Sequence, residues 1–168
     1  MAETTLAAVA AQANDLAQRG DERELANLRS EWADELEAAA RSSDYRERAV
    51  AYRSIGQFRF RQKLELLRRG LEDESPACRG SALISLELLS QESPGPVNAV
   101  RPLLHNLVHA DPNNAVRRLA ILCLRNSSPQ RDTIVLLNGL AEDEEQEAEL
   151  RAAAKRIGAL LRKKAATR

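Results

Sequence analysis

The sequence predicts an all-α fold, a right-handed α-solenoid of about four helical hairpins preceded by an N-terminal capping helix. Apolar residues recur at helical spacing, and no segment alternates apolar and polar residues as a half-buried strand would. In addition, one short phrase recurs every 33 to 38 residues. Such a period is typical of stacked hairpins, because a single hairpin cannot bury its apolar face alone.

The recurring phrase places an arginine three residues before an alanine. Its four copies are Tyr45-Arg46-x-x-Ala49, Cys78-Arg79-x-x-Ala82, Val116-Arg117-x-x-Ala120 and Leu150-Arg151-x-x-Ala154. In each copy, the first residue, the alanine and the positions three and seven residues after the alanine share one face of an α-helix. We therefore expect each copy to lie on the second helix of a hairpin, where the small alanine lets a neighbouring helix approach closely.

The helix boundaries are predicted from capping residues, taken in chain order. Thr4 or Thr5 can cap a helix within residues 1–20 that ends at Gly20, and Asp21 can cap the next one. Residues 21–168 then hold the hairpins, and the whole chain, 1–168, is expected to be one domain. Three pairs place a capping side chain before a proline, while one segment has the composition of an extended turn. The pairs are Ser75-Pro76, Asp111-Pro112 and Ser128-Pro129, and the turn is Ser93-Pro94-Gly95-Pro96.

Charge and composition set limits on location and partners. Lysine plus arginine and aspartate plus glutamate number 25 each, so no net charge draws the protein to DNA or to an anionic membrane. The apolar stretch Leu6–Ala13 lacks the basic flank of a signal peptide and is too short to span a membrane. Cys78 and Cys123 lie in apolar stretches and are expected to be reduced packing residues. We therefore predict a cytoplasmic protein without membrane contact.

An aspartate precedes the arginine of the phrase by six residues in two copies. Together with the hairpin period, this spacing resembles the HEAT-repeat family, in particular its short bacterial versions of the bilin-lyase type, over about residues 21–165. The resemblance implies that stacked copies form an Asp–Arg ladder. The fourth copy has Glu145 at the aspartate position and the first has Ala40. The residues that would form the ladder are Asp73, Arg79, Asp111, Arg117 and Arg151.

No set of residues predicts catalysis or a cofactor. His105 and His109 are four residues apart, a spacing that could place two imidazoles on one metal, but no third ligand is evident. The HEAT-like iron hydroxylases use His-Glu pairs, whereas Asn106 and Ala110 follow the two histidines here. We therefore expect neither a metal site nor an enzyme, and the histidines are expected to be partly exposed.

Arginine is concentrated in residues 41–79, which hold ten basic residues against six acidic ones. Basic residues interleaved with Phe58 and Phe60 could hold a phosphate backbone and stack bases. Pairing of these arginines with nearby acids, and burial of the two phenylalanines, explains the same pattern without nucleic acid. The candidate partner-binding residues are Arg53, Arg59, Arg61, Arg68 and Arg69. All of these except Arg53 are expected to be solvated.

The function predicted from these observations is that of a non-enzymatic scaffold or adaptor. Its partner would be another protein, received on the concave face that the second helices form. One alternative is a nucleic-acid-binding HEAT-like protein that uses residues 41–79. Another is a HEAT protein of the bilin-lyase type, which the repeats alone leave open.

Overall fold

The computed structural model describes residues 3–167, and within this range the chain is helical and contains no strand. This confirms the predicted all-α class. A 3₁₀ turn, Arg61–Lys63, precedes the fourth helix. The helices are α1 (Leu6–Arg19), α2 (Glu22–Ala40), α3 (Tyr45–Gln57), α4 (Leu64–Leu71), α5 (Pro76–Leu89), α6 (Gly95–Ala99), α7 (Arg101–Ala110), α8 (Asn114–Leu124), α9 (Arg131–Glu142) and α10 (Ala148–Ala166).

The chain divides into two compact units, Met1–Leu89 and Ser90–Arg168. Helices α1 to α5 lie in the first unit, and α6 to α10 lie in the second. The prediction of one domain over residues 1–168 concerns how the two units associate, and it stays a prediction.

The first unit contains two hairpins, α2 with α3 and α4 with α5. The second helices of these hairpins, α3 and α5, pack along each other, and α1 packs against both α2 and α3, as a capping helix should. The core is mostly aliphatic, because leucine fills the space between helices without polar atoms to satisfy. Its fully buried side chains include Leu25, Leu36, Ile55, Phe58, Leu67, Leu83 and Leu86.

The second unit repeats this arrangement with α7 and α8 as one hairpin and α9 and α10 as the next. Its second helices, α8 and α10, are again in contact. The core includes Leu104, Ile121, Leu124, Leu137 and Leu161. Within residues 3–167 the predicted capping helix and four hairpins are thus all present.

Two predicted helix starts in the second unit are wrong. Helix α8 is capped by Asn113 rather than Asp111, because the Asp111 carboxylate accepts the Asn113 N–H and tightens the turn before the helix. Helix α9 begins after Gln130, because Ser128 bonds to Asn98 on α6 instead of capping. The segment Ser93–Pro96 is only partly a turn, since α6 already begins at Gly95. The caps predicted for α1, α2 and α5 are confirmed, with Thr5, Asp21 and Ser75 accepting backbone N–H groups.

The structure also corrects the register of the first copy of the phrase. Arg79, Arg117 and Arg151 are each the fourth residue of their helix, but in α3 the fourth residue is Arg48, not Arg46. Arg46 is exposed and pairs with its neighbour Asp44, the cap of α3. The fully buried alanines then lie three residues after the arginine in every copy. They are Ala51, Ala82, Ala120 and Ala154.

Candidate binding cleft

A buried ion pair connects the two hairpins of the first unit. Arg48 on α3 donates from Nε to Asp73 Oδ2 at 2.9 Å and from Nη2 to Asp73 Oδ1 at 3.0 Å. The side chains are only 13 % and 8 % exposed, respectively. Asp73 lies in the turn between α4 and α5, so this bidentate pair fixes that turn against the preceding hairpin.

Further hydrogen bonds hold both partners of the ion pair in place. Arg48 Nη1 also donates to the carbonyl oxygens of Ser42 and Ser43, and Asp73 accepts the N–H of Ser75. Burial alone would raise the pKa of Asp73, but the bonds from Arg48 and Ser75 outweigh it and lower that pKa below its ordinary value. The same pairing raises the pKa of Arg48. Asp73 is therefore a carboxylate at neutral pH, and its charge is matched.

The predicted pairing of Asp73 with Arg79 within one hairpin is wrong, because the Asp73 carboxylate is bound by Arg48 of the hairpin before it. Arg79 instead donates to the backbone carbonyls of Asp73 and Glu74. In the second unit, Arg117 donates to Val108 O at 2.8 Å and Gln146 Oε1 at 2.9 Å rather than to Asp111. Arg151 donates to the carbonyl of Ala141. The arginine of each copy thus holds the backbone at or near the end of the first helix of its hairpin.

An open cleft of about 410 Å³ lies beside the Arg48–Asp73 pair. Its walls come from the end of α2, the middle of α3, the end of α4 and the turn that follows α4. Three arginines and two acids contribute to the lining, which leaves an excess of positive charge. The lining residues are Ala40, Arg41, Arg48, Tyr52, Arg69, Asp73 and Glu74.

Tyr52 is the polar residue of the cleft wall that is least exposed. The residue is only 3 % exposed, yet its hydroxyl makes no hydrogen bond with any residue between 3 and 167. Gly70 on α4 makes room for the ring, since a Cβ there would lie 2.9 Å from Tyr52 Cδ1 and 2.9 Å from Ala82 Cβ. Burial, and then the charge of Asp73, raise the pKa of Tyr52, so the phenol keeps its proton and can donate it.

Two arginines at the cleft remain available to a ligand. Arg69 is exposed, and among the described residues it forms neither a hydrogen bond nor an ion pair. Arg41 is 67 % exposed and approaches Glu37 at 3.8 Å, an exposed pair that contributes little stability. The third arginine, Arg48, is already engaged by Asp73. The cleft therefore presents one free guanidinium group, that of Arg69, one weakly paired guanidinium group, that of Arg41, and the unbonded phenol of Tyr52.

The structure separates the five candidate partner-binding arginines. Arg59 and Arg61 were expected to be solvated, which is wrong for Arg59: it is half-buried, has a positive φ of 53° and donates to Gly56 O at 2.7 Å. Arg61 is exposed but donates to the carbonyl of Leu89 at 2.9 Å. Arg53 is half-buried, with Nη1 enclosed and unbonded. Only Arg68 and Arg69 are exposed without bonds to described residues, so the predicted set does not form one solvated group.

Sequence reasoning missed Arg41, Arg48 and Tyr52 as residues of the cleft. Tyr52 lay on the apolar face of the misaligned first copy and was counted as a packing position. A signal for the correct register was present, because Arg48-x-x-Ala51 repeats the phrase two residues after Arg46-x-x-Ala49. The Arg48 register has Glu47 where the other copies have an apolar residue, so the sequence favoured Arg46, and the structure shows that Arg48 is the arginine that reaches Asp73.

A second polar cluster, in the other unit, was also missed. Arg101 on α7 is 6 % exposed and donates to Thr133 Oγ1 at 2.9 Å, Asn98 Oδ1 at 2.7 Å and Ser128 O at 2.8 Å. His105 Nε2 also lies 2.9 Å from Thr133 Oγ1. Burial lowers the pKa of Arg101, and burial followed by the Arg101 charge lowers that of His105. No carboxylate within residues 3–167 pairs with Arg101, so neutral oxygens alone solvate this buried cation.

The remaining candidate residues from the sequence are the two histidines and the two cysteines. His105 is half-buried against Thr133 and His109 is exposed, so the two rings do not converge on one site. Among the described residues, no group of three or more His, Cys, Asp or Glu side chains is arranged to hold a metal. Among the described residues, the buried Cys78 and Cys123 form no disulfide, and Cys78 donates to the Tyr45 carbonyl. Burial raises the pKa of Cys78, which keeps it a thiol.

The comparison with protein families agrees with this geometry. Residues 33–104 match the family model that describes HEAT repeats. This part of the chain, called the HEAT segment below, is thus similar to HEAT repeats. It includes every residue of the cleft, and HEAT repeats are commonly protein-interaction scaffolds and are typically non-enzymatic.

No curated protein matches the chain closely enough to serve as a relative. Over residues 3–167, no helix combines the length and the apolar character needed to cross a membrane.

Proposed function

We propose that this protein is a non-enzymatic interaction module that binds another protein through the cleft of its HEAT segment. The observation that carries the proposal is a set of polar groups at one opening: the exposed and unbonded guanidinium of Arg69, the weakly paired Arg41 and the unbonded hydroxyl of the buried Tyr52. Buried polar groups are normally satisfied within a folded chain, so groups left open in a cleft are available to a partner.

The position of the cleft supports a macromolecular partner more than a small substrate. The cleft is open and is lined by the ends of helices α2 and α4, so a partner could contact the neighbouring turn surfaces as well. Its lining contains no histidine, cysteine or serine to act as a nucleophile or a base near neutral pH. The backbone around it is fixed by the Arg48–Asp73 pair, which gives the partner a preorganised surface.

The alternative of nucleic-acid binding rests on the arginine-rich residues 41–79. A phosphate backbone needs a row of free cations, but Arg59 and Arg61 donate to backbone carbonyls of their own chain. Arg48 is bound to Asp73, and Arg53 is half-buried. The arrangement therefore favours a protein partner over a nucleic acid.

The test is capture from the native cell after nuclease treatment, followed by reconstitution of the complex from the purified partner. The parent chain is compared with Arg41→Glu/Arg69→Glu, and Arg23→Glu/Arg68→Glu serves as a control with the same change in net charge at exposed sites. We expect the partner to bind the parent and the control alike, and the cleft variant at least about tenfold more weakly, a loss of about 1.4 kcal/mol. If nothing is captured after nuclease treatment, and a nucleic acid bound with steep salt dependence is the only ligand recovered when the nuclease is omitted, the proposal is wrong.

A further inference from the structure

We propose that the cleft recognises a single carboxylate group of its partner, held by Arg69 with a hydrogen bond from the Tyr52 hydroxyl. This inference rests on the proposed function, because it names the chemistry of the partner that the cleft receives. It goes further in assigning the partner a glutamate or aspartate side chain, or a chain terminus, at the point of contact.

The charges of the lining residues favour a ligand group with a single negative charge. Three arginines face two acids, Asp73 and Glu74, so one positive charge is left over. Asp73 is neutralised by its bidentate pair with Arg48, and the Glu74 side chain is 92 % exposed and 3.9 Å from Arg48 Nη2. A carboxylate completes this balance. A doubly charged phosphate would exceed it.

Hydrogen-bond geometry supports a carboxylate as well. A guanidinium presents parallel N–H groups that match the two oxygens of a carboxylate, and Arg69 has all of its donors free within the described chain. Tyr52 can only donate to an anion, and its hydroxyl has no acceptor of its own. The Tyr52 ring is buried beside Gly70 of α4, where an added Cβ would lie 2.9 Å from its Cδ1. The donor is therefore held in place before the ligand arrives.

The position of Arg69 on α4 distinguishes it from the neighbouring Arg68 as a ligand-binding residue. Arg68 and Arg69 are both exposed on the last turn of α4, but only Arg69 lines the cleft. Consecutive residues on a helix point about 100° apart, so the Arg68 side chain leaves α4 in a different direction from the side chain that lines the cleft. Substituting either arginine changes the net charge equally, which gives a matched control.

The experiment is an NMR titration of the ¹⁵N-labelled protein with a short peptide of alternating glutamate and glycine. The same peptide with glutamine in place of glutamate, and inorganic phosphate, are titrated in parallel. We expect the glutamate peptide to shift the Arg69 Nε–Hε signal with a Kd of about 0.1–1 mM, and the glutamine peptide to have no effect. Arg69→Gln should weaken binding at least about fivefold and Arg68→Gln less than about twofold.

Tyr52→Phe isolates the second donor without disturbing packing. It removes a hydroxyl that bonds to nothing in the described chain and keeps the ring, so the melting temperature should stay within about 2 °C of the parent. Binding of the glutamate peptide should weaken about threefold or more. Equal binding by Arg69→Gln and Arg68→Gln, tighter binding of phosphate than of the peptide, or no binding up to about 5 mM peptide would each overturn the proposal.

The experiments test carboxylate recognition and the proposed function separately. Suppose that Arg41→Glu/Arg69→Glu lowers the affinity for the purified native partner but the glutamate peptide does not bind. The cleft then binds a protein by other chemistry. If the peptide binds as expected and no protein partner exists, the proposed function is the part that is wrong. Each result therefore decides one of the two statements.

Discussion

Arg48 and Asp73 join two consecutive hairpins of the HEAT segment through two parallel hydrogen bonds of 2.9 and 3.0 Å. The pair connects the second helix of one hairpin to the turn of the next, so it fixes the position of the two hairpins relative to each other. It also forms one wall of the cleft and fixes the backbone from which Glu74 projects. The stability of the fold and the shape of the candidate site thus depend on the same contact.

Removal of the Arg48 guanidinium should destabilise the protein strongly. Arg48→Met keeps the aliphatic stem but leaves the Asp73 carboxylate, which is 8 % exposed, without its cation. We expect a loss of about 2–4 kcal/mol in the free energy of unfolding. Arg46→Met is the matched control, because Arg46 is exposed and pairs only locally, and it should cost less than about 0.5 kcal/mol. Equal losses by urea denaturation would contradict the corrected register.

The pair should also make stability depend on pH in the acid range. Because the pKa of Asp73 is lowered in the folded chain, its contribution is complete above the unfolded pKa of about 3.9 and is lost as pH falls through the folded value. The parent should exceed Asp73→Asn in unfolding free energy at about pH 7, and the difference should shrink toward about pH 2. Comparison with the variant cancels the effect of other carboxylates with lowered pKa, such as Glu37 and Asp143. A difference that stays constant with pH would count against the ion pair.

Gly70 should not tolerate a side chain. In Gly70→Ala the new Cβ would contact Tyr52 Cδ1 and Ala82 Cβ at 2.9 Å, so the ring or the helix must shift, at a cost of about 1–3 kcal/mol. Gly139→Ala is the control, because no atom lies within 4 Å of the added methyl on α9 and helix propensity then favours alanine by up to about 1 kcal/mol. Thermal unfolding of the two variants should therefore move in opposite directions. A gain for both would show that the packing beside Tyr52 is loose.

Thr133 should be important for the second unit. Its hydroxyl, which is fully buried, is bonded to both Arg101 and His105, so Thr133→Val leaves Arg101 Nη1 without its acceptor. We expect a loss of about 1–3 kcal/mol in unfolding free energy. Thr4→Val, at an exposed position, should change it by less than about 0.5 kcal/mol. If the two variants were equally stable in denaturant melts, the Arg101 cluster would have no structural role.

Much of the fold was predictable from local chemistry. The caps Thr5, Asp21 and Ser75, the left-handed end at Gly20 and the buried alanines of three copies all follow from preferences that act within one helical turn. The caps of α8 and α9 were not predictable in the same way. They depend on Asp111 closing its own turn and on Ser128 bonding to Asn98, 30 residues away.

The candidate site was predictable only in part. An excess of arginine in residues 41–79 indicated a binding region, and Arg69 was among the candidates. Composition could not say which arginines are free, since that depends on whether a backbone carbonyl such as Gly56 O or Leu89 O lies within reach. Tyr52 was even harder to find, because an aromatic residue at a helical core position normally indicates packing.

By itself, the sequence determined that this chain forms helical hairpins, because apolar periodicity, capping residues and the Arg-x-x-Ala phrase are local and repeated. Only the tertiary structure decided between Arg46 and Arg48 as the partner of Asp73. The two overlapping phrases share the Arg-x-x-Ala spacing, and α3 turns one arginine to solvent and the other, two residues later, toward the next hairpin. That choice depends on packing between hairpins, which no local preference encodes.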